Sequence, residues 1–273
     1  MAGDDALKGK VAVVTGASRG IGKGIALALG EKGATVYVTG RSRGEEGLTV
    51  DVTAREVTDA GGEGHAIACD HGDDESIAAL FEVIARETDH IDYLINNVYT
   101  IPNPPAWEGG FWEHPLQIWD DQVGIGLRAH YVASWHAAAA LFAAGPGAAI
   151  VNVSSPGGQQ YLYSASYGAG KAGLDRLSAD MAIELKPRGV ACISLYPGSV
   201  ATEFVRSVAE ERGRDVSDSQ SPLFVGRATV AMLTAPDLMD RSGSIQWVED
   251  LAEEFDVVDE AGRRPPGYRL RTR

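Results

Sequence analysis

KVAVVTGASRGIG, residues 10–22, decides how the rest of the chain is read. Val11 to Val14 form an apolar run long enough for a short buried strand, and Thr15-Gly16 closes it with a residue free to take positive φ. Gly20 and Gly22 follow where an amphipathic segment begins, with Ile21, Ile25, Ala26 and Leu29 as its apolar positions. The order is strand, glycine turn, helix. Such a turn gathers the unpaired N–H groups of a helix start, and its missing Cβ atoms let a pyrophosphate approach the backbone. Gly16, Ser18, Arg19, Gly20, Ile21 and Gly22 are therefore candidate contacts for a dinucleotide. Their spacing, three residues and then one between glycines, differs from the common GxGxxG.

Working outward, 273 residues with 44% hydrophobic side chains suit one α/β domain over 1–273, with a core of about 8–248 and a C-terminal extension at 249–273. A formal charge of −14 argues against nucleic acid and against an anionic membrane as partners, because the far field repels both. Residues 1–44 depart from that balance. Seven basic side chains (Lys8, Lys10, Arg19, Lys23, Lys32, Arg41, Arg43) face three acidic ones (Asp4, Asp5, Glu31), a pattern suited to a phosphorylated small molecule. Cys69 and Cys192 lie in apolar runs and read as core residues of a reducing compartment. No metal-ligand spacing is evident. The first ten residues are polar and the longest apolar run, Ala137 to Ala144, is too short for a bilayer, so a cytoplasmic protein is expected.

Strand-like runs recur at Val11–Thr15, Thr35–Thr39, His65–Cys69, Ile91–Ile95, Ala148–Val153, Val190–Leu195 and Ser244–Val248. Helix-length segments lie between them, at Glu75–Glu87, Gln117–Ala144, Ala165–Lys186 and Leu223–Leu233. Alternation of this kind predicts a doubly wound, seven-stranded parallel sheet with helices on both faces, a Rossmann fold, with ligands at the carboxyl ends of the strands. After the second strand comes Gly40-Arg41-Ser42, with a guanidinium where an acid would repel a 2′-phosphate; this favours NADP(H) over NAD(H). Asp70 follows the third strand, placed to accept from an adenine amino group or to cap the next helix. Asn96 and Asn97 follow the fourth, able to tie strand ends together and line the cofactor.

Ser154-Ser155 ends the fifth strand, and the next helix carries Tyr167-Gly168-Ala169-Gly170-Lys171. Spacing of four puts Tyr167 and Lys171 on one helical face. An ammonium beside a phenol lowers its pKa, and moving a tyrosine from ~10 to ~7 takes about 4 kcal/mol of differential interaction, which a close cation and a cationic nicotinamide ring together could supply in a partly desolvated site. Tyr167 would then serve as an acid/base near neutrality, with Ser155 holding the substrate oxygen.

TGASRGIG at 15–22, NN at 96–97, NVSS at 152–155, YGAGK at 167–171 and Tyr196-Pro197-Gly198 with Thr202 resemble the successive motifs of the short-chain dehydrogenase/reductase superfamily. The resemblance spans residues 8 to about 248. It implies an NADP(H)-dependent oxidoreductase with Tyr167 as acid/base, Lys171 also on the nicotinamide ribose and Ser155 orienting the carbonyl. It further implies that Val200 and Thr202 contact the nicotinamide end, and that the helices containing Gly126 and Tyr167 associate to give a homodimer or homotetramer.

Three departures accompany the resemblance. Gly126 stands where the family carries an asparagine of its proton relay, Val98-Tyr99 replaces two small residues after the paired asparagines, and Glu249-Asp250-Leu251 replaces DGG. A relay would then need a water near Gly126, or His130, which reads first as a packed or surface histidine. GLRAHY at 126–131, SSPGGQQY at 154–161 and DLAEEF at 250–255 make the chain similar to one branch of the superfamily, whose relatives reduce steroid and xenobiotic carbonyls with NADPH. Some relatives carry a membrane-associating extension; this chain ends at Arg273 without one and is expected to be soluble.

The stretch after the fourth strand holds Tyr99, Pro102, Pro104, Pro105, Trp107, Phe111, Trp112 and Trp119, and Phe111 with Trp112 could wall a pocket for a flat or bulky carbonyl. Gln159, Gln160, Tyr161 and Tyr163 are the other specificity candidates, and Phe204 to Ser221, charged and weakly periodic, reads as a mobile lid. The expected activity is reduction of a small-molecule carbonyl with NADPH. The alternatives are a non-catalytic NADP(H)-binding sensor or scaffold and an NAD-linked alcohol dehydrogenase.

Overall fold

The computed structural model describes residues 5–103 and 109–265. Asp4, Pro104, Pro105, Trp107 and the extension from residue 266 onward lie outside the described residues. The chain runs β1 (Val11–Thr15), α1 (Gly20–Gly30), β2 (Thr35–Gly40), α2 (Val50–Asp59), β3 (Glu63–Ala68), α3 (Asp74–Glu87) and β4 (Tyr93–Asn96). It continues through α4 (Gln117–Trp119), a π-helical segment Asp120–Arg128, α5 (Ala129–Ala144), β5 (Ala149–Val153) and α6 (Ala165–Leu185). The last elements are β6 (Ala191–Tyr196), α7 (Glu203–Glu211), α8 (Pro222–Leu233), β7 (Ile245–Trp247) and α9 (Val248–Glu254).

All seven strands are parallel, in the order β3-β2-β1-β4-β5-β6-β7, so the chain reverses direction across the sheet between β1 and β4. Alternation along each strand builds two cores. Ala12, Val14, Val36, Val38 and Val151 face α1, α2 and α8, while Val11, Val13, Leu94 and Ile150 face α3, α5 and α6. Both cysteines are buried and unpaired, as expected of core residues. Among the described residues no helix is long and apolar enough to cross a membrane, and no group of His, Cys, Asp or Glu could hold a metal.

Two segments differ from the sequence expectation. The long helix over 117–144 is interrupted by the π-helical turns of Asp120–Arg128, which contain Gly124 and Gly126. Two glycines weaken the α-helical preference there and admit the wider ladder. The expected lid over 204–221 begins with helix α7, whose N-cap Thr202 accepts from the Val205 N–H at 3.3 Å. Helix α2, not anticipated, starts on the same chemistry, with Thr49 accepting from Val52 N–H.

Helices α1 and α8 pack backbone against backbone. A Cβ at Gly24 would run into the Pro222 carbonyl, and one at Gly226 into the Gly24 carbonyl. In an isolated helix Gly24→Ala would stabilise by about 1 kcal/mol. Here the methyl forces two rigid backbones apart, a cost of about 1–3 kcal/mol or more. Gly24→Ala is therefore expected to lower the urea midpoint of unfolding; an unchanged or raised midpoint would show that the two helices separate freely.

Candidate active site

The carboxyl ends of β1 to β4 open on a cleft of about 980 Å³. Gly16 and Gly20 adopt φ of 65° and 58°, the region that glycine enters without strain. A Cβ at Gly16 would stand 2.7 Å from Val98 Cα, and one at Gly22 would meet the Asn97 amide and the Gly16 carbonyl. The turn is thus drawn tight onto the end of β4. Asn97 does the drawing: its Nδ2 donates to the carbonyls of Thr15 (2.8 Å) and Gly16 (3.0 Å), while Thr15 Oγ1 accepts from the Asn97 and Val98 N–H groups. Gly16, Ser18, Arg19, Gly20, Ile21 and Asn97 all line the cleft, and Gly22 lies one layer behind it.

An anion already sits on this helix start. Glu203 Oε2 accepts from the Gly20 N–H at 2.9 Å, beside Thr202, whose Cγ2 would lie 3.3 Å from a Cβ at Gly20. A cradle that any Cβ would fill, with an N–H that holds a carboxylate, fits the pyrophosphate of a dinucleotide. Val200 is 7% exposed in a bridge to Gln220, behind the cleft wall that Thr202 forms.

The basic surplus of residues 1–44 is mostly neutralised at home. Lys8, Lys10, Lys23 and Arg43 pair with Asp5, Asp92, Glu56 and Asp51, the last so closely that Asp51 falls to about 2. Arg19 and Arg41 remain on the cleft with Ser42, and Arg41 makes no ion pair among the described residues. Asp70 also lines the cleft but does not cap α3: it accepts from the Gly72 N–H at 3.0 Å, and Asp73 caps the helix. Next to it, His71 was not anticipated. Its Nε2 meets Thr39 Oγ1 at 2.8 Å, and burial lowers its pKa to about 4, so a neutral imidazole walls this end.

On the other side of β4, Ser155 lies two residues past β5 and caps the 3-10 turn Pro156–Gly158, and Tyr167 and Lys171 lie on α6 as the spacing predicts. Gly157 makes room for Tyr167, since a Cβ there would lie 2.5 Å from Tyr167 Cε1. Burial raises the Tyr167 phenol to about 12, with Ser155 nearby acting in the opposite sense. The protein's own groups do not depress the tyrosine: burial, Tyr163 and Asp175 raise it, and Lys171 is not among the groups that lower it. Lys171 is lowered to about 8 by burial, opposed by Asp175, and its Nζ donates to the Val153 carbonyl at 2.9 Å. Tyr196 in turn donates to the Asp175 carboxylate.

Around this group the departures become intelligible. The Tyr99 ring packs on Gly126, and Gln122, which the sequence reading passed over, binds its hydroxyl. His130 is a packed histidine: Nε2 donates to the Val98 carbonyl at 2.9 Å, and burial lowers it to about 3. The expected aromatic wall is not formed by Phe111 and Trp112, which are 72% and 75% exposed, stack edge-on upon each other and do not line the cleft. Tyr99 to Asn103 line it instead, because the chain leaves β4 along the cleft rim. Gln160 and Tyr161 are likewise exposed and off the cleft, Tyr161 donating to the Tyr163 carbonyl.

Glu203 and a pyrophosphate would compete for one N–H. Glu203→Gln keeps the side chain's shape and removes its charge, so NADPH, titrated by its fluorescence, is expected to bind about 3- to 10-fold more tightly. Weaker binding by the variant would mean that Glu203 assists the cofactor.

The family model described as short chain dehydrogenase matches residues 10–213. Dehydrogenase/reductase SDR family member 1 of Mus musculus is 41% identical over 96% of this chain and 87% of its own, and the Homo sapiens protein of that name is 40% identical over the same shares. This is the branch to which the motifs at 126–131, 154–161 and 250–255 point. A solved short chain dehydrogenase from Mycobacterium thermoresistibile superposes with a TM-score of 0.80 at 26% identity, over 96% of this chain and 93% of that one. An actinorhodin polyketide ketoreductase variant solved with NADPH superposes at 0.76 and 28% identity, over 88% and 95%. With its glycine cradle, its Ser155, Tyr167 and Lys171 and these relatives, the chain belongs to the short-chain dehydrogenase/reductase family.

Proposed function

We propose that the chain is an NADPH-dependent reductase of ketones or aldehydes, working in the reductive direction. The observation that carries this reading is a grouping: the Tyr167 ring and Ser155 Oγ both close on Gly157, Lys171 stands one turn along α6, and desolvation keeps the Tyr167 phenol protonated, an acid that holds its proton until a substrate oxygen needs it. Ser155 Oγ, which accepts from the Gly157 N–H at 3.1 Å, has its own proton left to donate. It would hold the carbonyl oxygen while Tyr167 Oη protonates it. Lys171 keeps a charge at neutral pH, since about 8 lies above 7, and steadies the phenolate that Tyr167 becomes. A nicotinamide held in the cleft would supply the hydride.

Arg41 supports NADPH over NADH. Its guanidinium borders the cleft beside Ser42 and Arg19, after a β2 that ends in glycine with no acid following. The ketoreductase solved with NADPH is consistent with this preference. The adenosine 2′-phosphate would rest between Arg41 and Arg19, and the adenine beside Asp70.

Purified protein should oxidise NADPH when offered a panel of steroid ketones, quinones, α-dicarbonyls and aryl aldehydes. Tyr167→Phe should abolish that turnover while leaving NADPH binding intact. Because Tyr167 at about 12 keeps its proton while Lys171 at about 8 loses its charge first, the reduction rate should hold at low pH and fall as pH rises past about 8. NADPH binding without turnover on the whole panel would favour a non-catalytic NADP(H)-binding protein.

Losing one charge-assisted contact to phosphate costs about 1.5–3 kcal/mol, so Arg41→Ala should weaken NADPH about 10- to 100-fold and leave NADH nearly unchanged. Equal losses for both cofactors would remove the case for NADPH.

A further inference from the structure

One side chain touches both ionisable members of the site and is tied through Gln122 to the helix start that carries them. Tyr99 leaves β4 along the cleft rim, and its ring lies on Gly126, where a Cβ would stand 3.3 Å from Tyr99 Cδ2. Its ring meets that of Tyr167 at 84°, with centroids 5.9 Å apart, and Lys171 Nζ stands 5.4 Å from its centroid. The hydroxyl is anchored. Gln122 Nε2 donates to Tyr99 Oη at 3.2 Å, and Gln122 Oε1 accepts from Ser164 at 3.0 Å and from Ser166.

Ser164 is also the N-cap of α6, accepting from the Tyr167 N–H at 3.2 Å. A closed circuit results. It runs from the cap of α6 through Gln122 to Tyr99 and returns through the Tyr99 ring to Tyr167 and Lys171 on the same helix. Gln122 and Ser164 are each 4% exposed, so water does not compete for these bonds. Gln122 lies in the π-helical turns, where its neighbour four residues on is the glycine under the ring.

We propose that Tyr99, anchored by Gln122 and seated on Gly126, is a positioning residue that holds the Lys171 ammonium against its ring and fixes the Tyr167 phenol edge-on. An aromatic face attracts a cation most where solvent is excluded, and Lys171 is 7% exposed. The other ionisable groups acting on Lys171 are Asp175, one turn along α6, and His130 from α5, which burial keeps neutral. Asp175 favours the ammonium from below; the Tyr99 ring covers it on another side.

The sequence holds only six lysines, so carbon-13 labelling at lysine Cε gives a simple spectrum in which Lys171→Met identifies the resonance of Lys171. Removing the ring removes an attraction for the cation, so Tyr99→Leu should lower the Lys171 titration midpoint by at least about half a unit. Tyr99→Phe keeps the ring and should stay near the original midpoint. If Tyr99→Leu melts below the titration temperature, Tyr99→Met replaces it. The proposal is overturned if Tyr99→Leu or its replacement titrates like the original chain, or if Tyr99→Phe falls as far. In turnover of 9,10-phenanthrenequinone with NADPH, which rests on the reductase reading, Tyr99→Leu should lower kcat about 10-fold with little change in KM, and Tyr99→Phe should retain most of it. If the original chain turns over no carbonyl, the reductase reading fails while the lysine titration still decides the role of Tyr99.

Discussion

Every functional distance in this protein depends on amides that cross between strand ends. Asn96 Nδ2 donates to Asn152 Oδ1 at 2.9 Å and to Ser134 at 3.0 Å, and Asn152 Nδ2 donates to Ser178 at 2.9 Å. Asn97, one residue on, binds β1 and the glycine turn. Two adjacent asparagines therefore fasten the cradle on one side to β5 and α6 on the other. Both Asn96 and Asn152 are fully buried, where an amide left without partners would cost about 1–3 kcal/mol. The chain meets that demand for both Nδ2 groups and for Asn152 Oδ1 with other amides and hydroxyls, leaving Asn96 Oδ1 without a partner among the described residues, and registration of the two halves of the site follows.

The same economy explains the unusual composition around α6. A tyrosine after the paired asparagines needs room, and Gly126 provides it; a half-buried phenol needs a partner, and Gln122 provides that. Gln122 then needs donors for its own oxygen, and these are the two serines that open α6. Viewed singly, Gly126 and Tyr99 look like two losses from a family pattern. In three dimensions they are a single exchange, a bulky ring here for a smaller residue there.

The sheet was legible in sequence because parallel strands are buried on both faces and read as continuous apolar runs. All seven strand positions were anticipated to within two residues, β3 starting earlier because Glu63-Gly64 carries no apolar signal. Ser155, Tyr167 and Lys171 were legible because their spacing is local and chemical. What was not legible depended on distant partners. The surplus of positive charge dissolves once Lys10 finds Asp92 and Lys23 finds Glu56. The tyrosine pKa depends on how much protein covers the ring, and Phe111 and Trp112 could not be placed from a loop whose path is set by the fold. Helix α2 escaped notice because its Thr, Asp and Arg residues mask the four apolar positions Val50, Val52, Ala54 and Val57.

The contact between Glu203 and the Gly20 N–H has a kinetic side. A cofactor leaving a tight backbone cradle ordinarily strips a helix start of its acceptor, and that loss adds to the barrier for departure. Here the replacement acceptor is tethered one residue beyond Thr202, at the high effective concentration of any group fixed by its own chain. Departure becomes an exchange of one anion for another. The Gly20 N–H would then keep a partner in both states, a phosphate in one and the first side chain of α7 in the other.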